Sequence, residues 1–176
     1  MEFTKISLEG AYIIEIEKIE DERGFFARSW DKEEFKKKKL DCNLLQCSIS
    51  FNKKKGTIRG LHYQLAPFEE TKLVRCTRGK IYDVIVDLRK SSKTYKKWVG
   101  VELSENNHKI MYIPKGFAHG FQTLKDDSEI FYQISEYHKP KYYAGVCWND
   151  PSFNIKWPIE LSVISKKDSS YPFYTD

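Results

Sequence analysis

The chain predicts an all-β fold, a sandwich or barrel of short strands with a few short helices. Short stretches of alternating apolar and polar residues recur along its 176 residues, bounded by Gly, Asn, Asp or Pro. Helical signals are confined to residues 31–40. Aromatic residues make up 15% of the chain, with 11 Tyr and 11 Phe, types that suit half-buried sheet faces.

Residues 11–19, AYIIEIEKI, alternate apolar and charged and predict a strand. Asp21-Glu22-Arg23-Gly24 is a turn, and FFARSW continues extended. Asp31 is placed to N-cap a short helix through about Leu40, with Glu33 and Glu34 in its first turn and lysines in its last. LLQCSISFN (44–52) predicts a strand and Lys53 to Gly56 its turn. Residues 56–87, GTIRGLHYQLAPFEETKLVRCTRGKIYDVIVD, alternate like strands. KWVGVELS (97–104), HKIMYIPKG (108–116) and EIFYQISEYH (129–138) follow as strands. Beyond Asp150, Pro151, Pro158 and Pro172 argue against long helices and predict loop. There is no internal repeat or linker, so one domain over 1–176 is expected, large enough to bury a core unaided.

Composition narrows the function classes. The net charge is +5, from 30 Lys+Arg against 25 Asp+Glu, and mean hydropathy is −0.60. Lys36 to Lys39 form the dense basic run, which reads as a solvated helix face; nucleic-acid binding calls for a broader stripe with exposed aromatics. No apolar run reaches the roughly 18 residues of a membrane span, and the N-terminus lacks a basic start followed by an apolar segment. A cytoplasmic protein with no nucleic-acid or membrane partner is expected. Cys42, Cys47, Cys76 and Cys147 have no C-x-x-C spacing, and Cys76 and Cys147 sit in strand-like text, which predicts reduced, partly buried thiols.

Residues 56–87 hold the central conflict. Arg59, His62, Gln64, Lys72 and Arg75 interleave with side chains that should fill a core, a pattern that marks functional sites. These polar residues are expected to line the barrel interior and form a pocket for an anionic ligand. His62 is either a core histidine on a backbone carbonyl or a general base with a pKa near 6.5. A base gains from an orienting carboxylate; Asp168 in SKKDSS is a candidate that sequence distance cannot select. Strand alternation puts Lys72, Val74 and Cys76 on one face, Leu73 and Arg75 on the other. Lys72 and Arg59 are expected inward, Arg75 and Lys80 solvated. From chemistry alone, Tyr132 reads as an ordinary cross-strand aromatic. No G-x-S-x-G elbow or G-K-[ST] phosphate loop is present.

IPKGFAHGF (113–121) is more specific: Pro114, Gly116 and His119 fit the P-x-G-x-x-H turn of the second cupin motif. In the first motif, Gly60-Leu61-His62-Tyr63-Gln64 supplies a single histidine, and counting back seven from Gly79 puts Lys72 where a glutamate ligand would stand. An ammonium donates no lone pair and repels a cation. The scaffold therefore resembles a cupin barrel, a double-stranded β-helix jelly roll, turned to organic acid–base chemistry with no metal.

DERGFFARSW, QCSIS, GTIRGLHYQ, TKLVRCTRGKIYDVIVDLR, IPKGFAHGF, VCWNDP, IKWP and SKKD run in order from Asp21 to Asp168. Together they resemble the dTDP-4-dehydrorhamnose 3,5-epimerase family. The resemblance implies cofactor-free epimerisation at carbon 3, carbon 5 or both, of a nucleotide-diphosphate 4-keto-6-deoxy sugar through an enolate. It implies His62 as base, Asp168 as its dyad partner, Tyr132 as the acid across the ring and Lys72 as the enolate's cation. Arg59 and Lys167 would hold the diphosphate, Gln46 would lie at the nucleotide and His119 near the sugar. Arg23 and Phe26 would arrive from the partner of a homodimer with exchanged N-terminal strands. The chain departs from the family pattern at Arg28, commonly a glutamate, at Ser48, commonly an asparagine, and at His138, commonly a tyrosine. These changes fall in the substrate-binding set and open the choice of nucleotide base and the number of carbons inverted. The alternatives are a single-site epimerase or ketoisomerase on a non-dTDP nucleotide sugar, and a non-catalytic sugar-nucleotide-binding cupin.

Overall fold

The computed structural model describes residues 1–41 and 43–175; Cys42 lies outside the described residues. The expected strand over 11–19 is divided into β2 (Tyr12–Glu15) and β3 (Ile19–Asp21), because the chain leaves the main sheet between them. β1 (Glu2–Lys5) pairs with β2, and among the described residues β3 pairs only with β4 (Gly24–Phe26), forming an exposed two-stranded hairpin. α1 spans Lys32–Lys37, and Asp31 caps it by accepting from the amides of Glu33 and Glu34. The remaining strands are β5 (Gln46–Asn52), β6 (Thr57–Gln64), β7 (Lys72–Arg78), β8 (Lys80–Asp87), β9 (Trp98–Ser104), β10 (Ile110–Ile113), β11 (Phe117–Thr123), β12 (Ser128–Ile134) and β13 (Tyr143–Gly145). The tail expected as loop adds β14 (Val163–Ile164) and α2 (Lys166–Ser169). A single helical turn is too short to leave a periodic signal.

Two sheets face each other in a cupin-type jelly roll. One has the order β1-β2-β10-β7-β12-β5, the other β13-β6-β11-β8-β9, with β14 beside β6. Val74, Ile85, Leu103, Met111, Phe121 and Ile130 pack between them. Each sheet is also covered outside. Phe35 of α1 seals Leu73, Ile110 and Tyr112, while Phe153 and Ile155 cover Leu61, Val84 and Ala118. Double-sided burial explains the apolar run IYDVIVD of β8. Cys76 is buried within this packing, which pushes its thiol up to about 11, and Cys47, Cys76 and Cys147 are free. Cys147, expected in a strand, follows β13.

Two polar residues lie elsewhere than expected. Gln64 is buried as a cross-link, donating to the carbonyl of Phe68 and accepting from the amide of Lys139. Arg75, expected in water, is half-buried on the outer face, its guanidinium 5.3 Å from the Phe131 ring and its Nε buried without a partner. Leucine and arginine share that face because strand alternation turns Lys72 the other way.

Candidate active site

The site is built where β6 and β11 touch. At Gly60 a Cβ would lie 2.6 Å from the Cα of Gly120, and at Gly120 one would lie 2.6 Å from the carbonyl of Arg59. Neither strand can carry a side chain there. The ladder shifts register between His119 and Phe121, and His119 stands directly opposite His62. A bulge of this kind re-aims side chains, and both imidazoles line one cavity of about 360 Å³ between the sheets.

His62 Nε2 lies 2.8 Å from Asp168 Oδ1. Asp168 comes from α2, whose cap Ser165 accepts its amide, and its Oδ2 accepts from the amide of Gly60. Burial alone would raise the Asp168 carboxyl, but hydrogen bonds from His62 and Gly60 hold it below its ordinary value. The carboxylate therefore accepts, His62 Nε2 carries the proton, and Nδ1 keeps the lone pair. Burial lowers the His62 pKa below its usual 6.5, Asp168 partly opposes this, and Lys72 and His119 add to the lowering.

A second pair lies beside the first. His119 Nε2 is 2.7 Å from Asp83 Oδ1, and Asp83 Oδ2 is buried with no partner. Lys72 is 8% exposed and points into the cavity, its Nζ 2.8 Å from Glu70 Oε1. Tyr132 lines the same cavity, its ring 6.0 Å from that of His119. Burial first, then the charge of Asp83, pushes its hydroxyl well above the ordinary value, so it stays protonated. Tyr143 also lines the wall, 5.3 Å ring to ring from His62, and burial raises its hydroxyl too.

Arg59 stands on the cavity wall, its Nε donating to Asn52 Oδ1 at 2.6 Å. Gln46, Ser48 and His138 complete that side, with Gln46 Oε1 accepting from the His138 amide at 2.7 Å. Lys167 Nζ sits 4.5 Å above the Tyr143 ring, beside the cavity. Three expected residues are not brought to this chain's cavity. Arg23 is paired with Asp21, Phe26 is 66% exposed on the hairpin, and Arg28 reaches Asp31 at 3.5 Å.

Glu70, Asp83 and Tyr143 were not singled out from sequence. Glu70 had a signal: two residues before an inward Lys72, it shares that lysine's face. Asp83 had one as well, as an acid in the middle of an apolar run. Among the described residues no cluster of three or more His, Cys, Asp or Glu is placed to hold a metal. With Nε2 of each histidine spent on an aspartate and an ammonium nearby, the donor set suits proton transfer next to a carbonyl. A lone pair, two neutral phenols and a buried cation are all present.

Comparison with known proteins agrees with this chemistry. The family model described as dTDP-4-dehydrorhamnose 3,5-epimerase matches residues 5–176. A relative of that name from Sinorhizobium fredii is 43% identical over 173 residues, covering 98% of this chain and 89% of its own. The crystal structure of the Elizabethkingia anophelis enzyme of that name superposes with a TM-score of 0.96 at 35% identity, covering 99% of this chain and 96% of that one. A Legionella pneumophila 3,5-epimerase in complex with dTDP-4-keto-L-rhamnose superposes at 0.92 with 34% identity, covering 98% and 92%.

Proposed function

The chain belongs to the dTDP-4-dehydrorhamnose 3,5-epimerase family, isomerases of deoxysugar biosynthesis, and we propose that it inverts carbon 3 and carbon 5 of a dTDP-linked 4-keto-6-deoxyhexose. The observation that carries the assignment of roles is the His62–Asp168 pair at 2.8 Å on the cavity that also holds Lys72 and Tyr132.

The ketone at carbon 4 acidifies the hydrogens on carbons 3 and 5. His62 takes one as a proton through Nδ1, the C–H electrons move onto the carbonyl oxygen, and Asp168 stabilises the imidazolium. Lys72 meets the enolate oxygen; a preorganised donor of this kind is worth about 2.7–4 kcal/mol. Tyr132, kept neutral by burial, gives its proton to the opposite face of the carbon and is reprotonated afterwards. Arg59 and Lys167 hold the diphosphate, Gln46, Ser48 and His138 flank the nucleotide, and His119 stands under the sugar. No cofactor enters this sequence of steps.

Arg23, Phe26 and Arg28 act in the partner's site of a homodimer with exchanged N-terminal strands. The support is their position: Arg23 and Phe26 lie on the exposed hairpin and Arg28 just beyond it, and none of them lines this chain's cavity. Arg28 offers donors to a base edge and no acceptor, so relative turnover of dTDP-, CDP- and GDP-linked substrates measures its selectivity. The chain acts as one domain over 1–176. No described helix is long and apolar enough to cross a membrane, and a cytoplasmic setting fits a nucleotide-sugar substrate.

The test is incubation in deuterated water with the dTDP-linked 4-keto sugar, followed by NMR. Label at both carbons is expected. Label at one carbon converts the reading to a single epimerase, and bound but unlabelled sugar converts it to a binding protein. Tyr132→Phe should keep exchange at one face while inversion falls by about 10²-fold.

A further inference from the structure

Glu70 is a buried carboxylate to which the steps above give no task. It leads into β7 two residues before Lys72, so both side chains point the same way, and both line the cavity. The backbone between them is clamped: the Thr71 amide donates to Ser135 Oγ at 2.8 Å, and the Ser135 amide donates to the Thr71 carbonyl at 3.0 Å. Lys72 Nζ and Glu70 Oε1 are 2.8 Å apart, with the two side chains 10% and 8% exposed. Among the described residues no other carboxylate is within ion-pair distance of that ammonium.

A carboxylate against this cation competes with the enolate for its charge, and a dry ion pair is costly to desolvate. Its use is directional. An ammonium has three N–H donors on a flexible stem; Glu70 takes one and thereby aims the other two. We propose that Glu70 is the positioning residue of Lys72, holding the ammonium in place and pointed at the spot where the enolate oxygen develops. This rests on the epimerase reading and names what keeps its cation in place. The other ionisable groups on this cavity are His62, with Asp168 behind it, His119, with Asp83 behind it, His138, Tyr132 and Tyr143, with Arg59 also on the wall. The imidazoles and phenols carry no negative charge in their working forms, so none replaces Glu70 as counter-ion.

Two variants, Glu70→Gln and Glu70→Asp, test this in the full-length protein. The first measurement needs no turnover: limiting acetic anhydride is added at pH 8, and acetylation of Lys72 is read by peptide mass spectrometry. Acylation needs the nitrogen free of its carboxylate partner, so E70Q should label faster than wild type, with E70D close to wild type. In the deuterium assay, E70Q should lose about ten-fold or more in kcat with KM nearly unchanged, while E70D recovers much of the rate. Equal labelling of wild type and E70Q overturns the proposal, as does an E70Q kcat equal to that of wild type. A wild-type protein that incorporates no deuterium breaks the epimerase reading and with it the target of the ammonium; the labelling separates that outcome from a failure of Glu70 to hold Lys72.

Discussion

His62 and His119 face each other across the β6–β11 ladder, and each reaches an aspartate through Nε2, at 2.8 and 2.7 Å. Their surroundings differ. The His62 side chain is 22% exposed, and its aspartate arrives from the other end of the sequence with both carboxylate oxygens bonded. The His119 side chain is 5% exposed, its aspartate sits on the adjacent strand β8, and one oxygen of Asp83 is buried unpartnered. A proton carrier needs an open face and a carboxylate already satisfied, so that gaining a charge disturbs nothing else. The first pair meets that requirement. The second reads as the floor of the cavity, a buried pair whose loss is felt by the fold before the chemistry.

The sharpest way to break this contrast is to exchange the two histidines' fates. His62→Asn should reduce deuterium incorporation by about 10⁴-fold, measured by mass spectrometry of the recovered sugar, whereas His119→Asn should chiefly raise KM. The reverse order of effects would transfer the base to His119. A smaller but still large effect is expected for Asp168→Asn, about 10³-fold in kcat, because the imidazole loses the partner that fixes its tautomer. The pH profile sharpens the point. His62 must be neutral to act, and burial holds its pKa below 6.5, so the acid limb of kcat/KM should fall below that value. Asp168 opposes the lowering, so its replacement should move the limb lower still; a limb moving upward would contradict the pairing. The smallest catalytic change is expected for Asp83→Asn. It should cost about 1–3 kcal/mol of stability in urea unfolding and less than about ten-fold in kcat.

Much of the scaffold was legible because alternation and turn residues are local. Asp31 announced α1, and the polar residues of 56–87 announced a cavity, since His62 and Lys72 had no reason to be in strand text otherwise. What stayed hidden depends on distance or brevity. Asp168 meets His62 across 106 residues, and no local pattern connects them. α2, which delivers it, is one turn long. Arg75 misled because a cation next to a core strand suggests water, whereas the Phe131 ring offers it a face. Glu70 was readable by the same i, i+2 rule that turned Lys72 inward, and was masked by the density of cations around it.

The contact between Gly60 and Gly120 has a mechanical consequence. Backbone presses on backbone there, so the gap between the two imidazoles is set by a hard stop, as in a jig, and owes little to the elasticity of packed side chains. Methyl groups in the surrounding interior can be added or removed, and the molecule's firmness retuned, while the spacing of its tools stays where the two bare strands leave it.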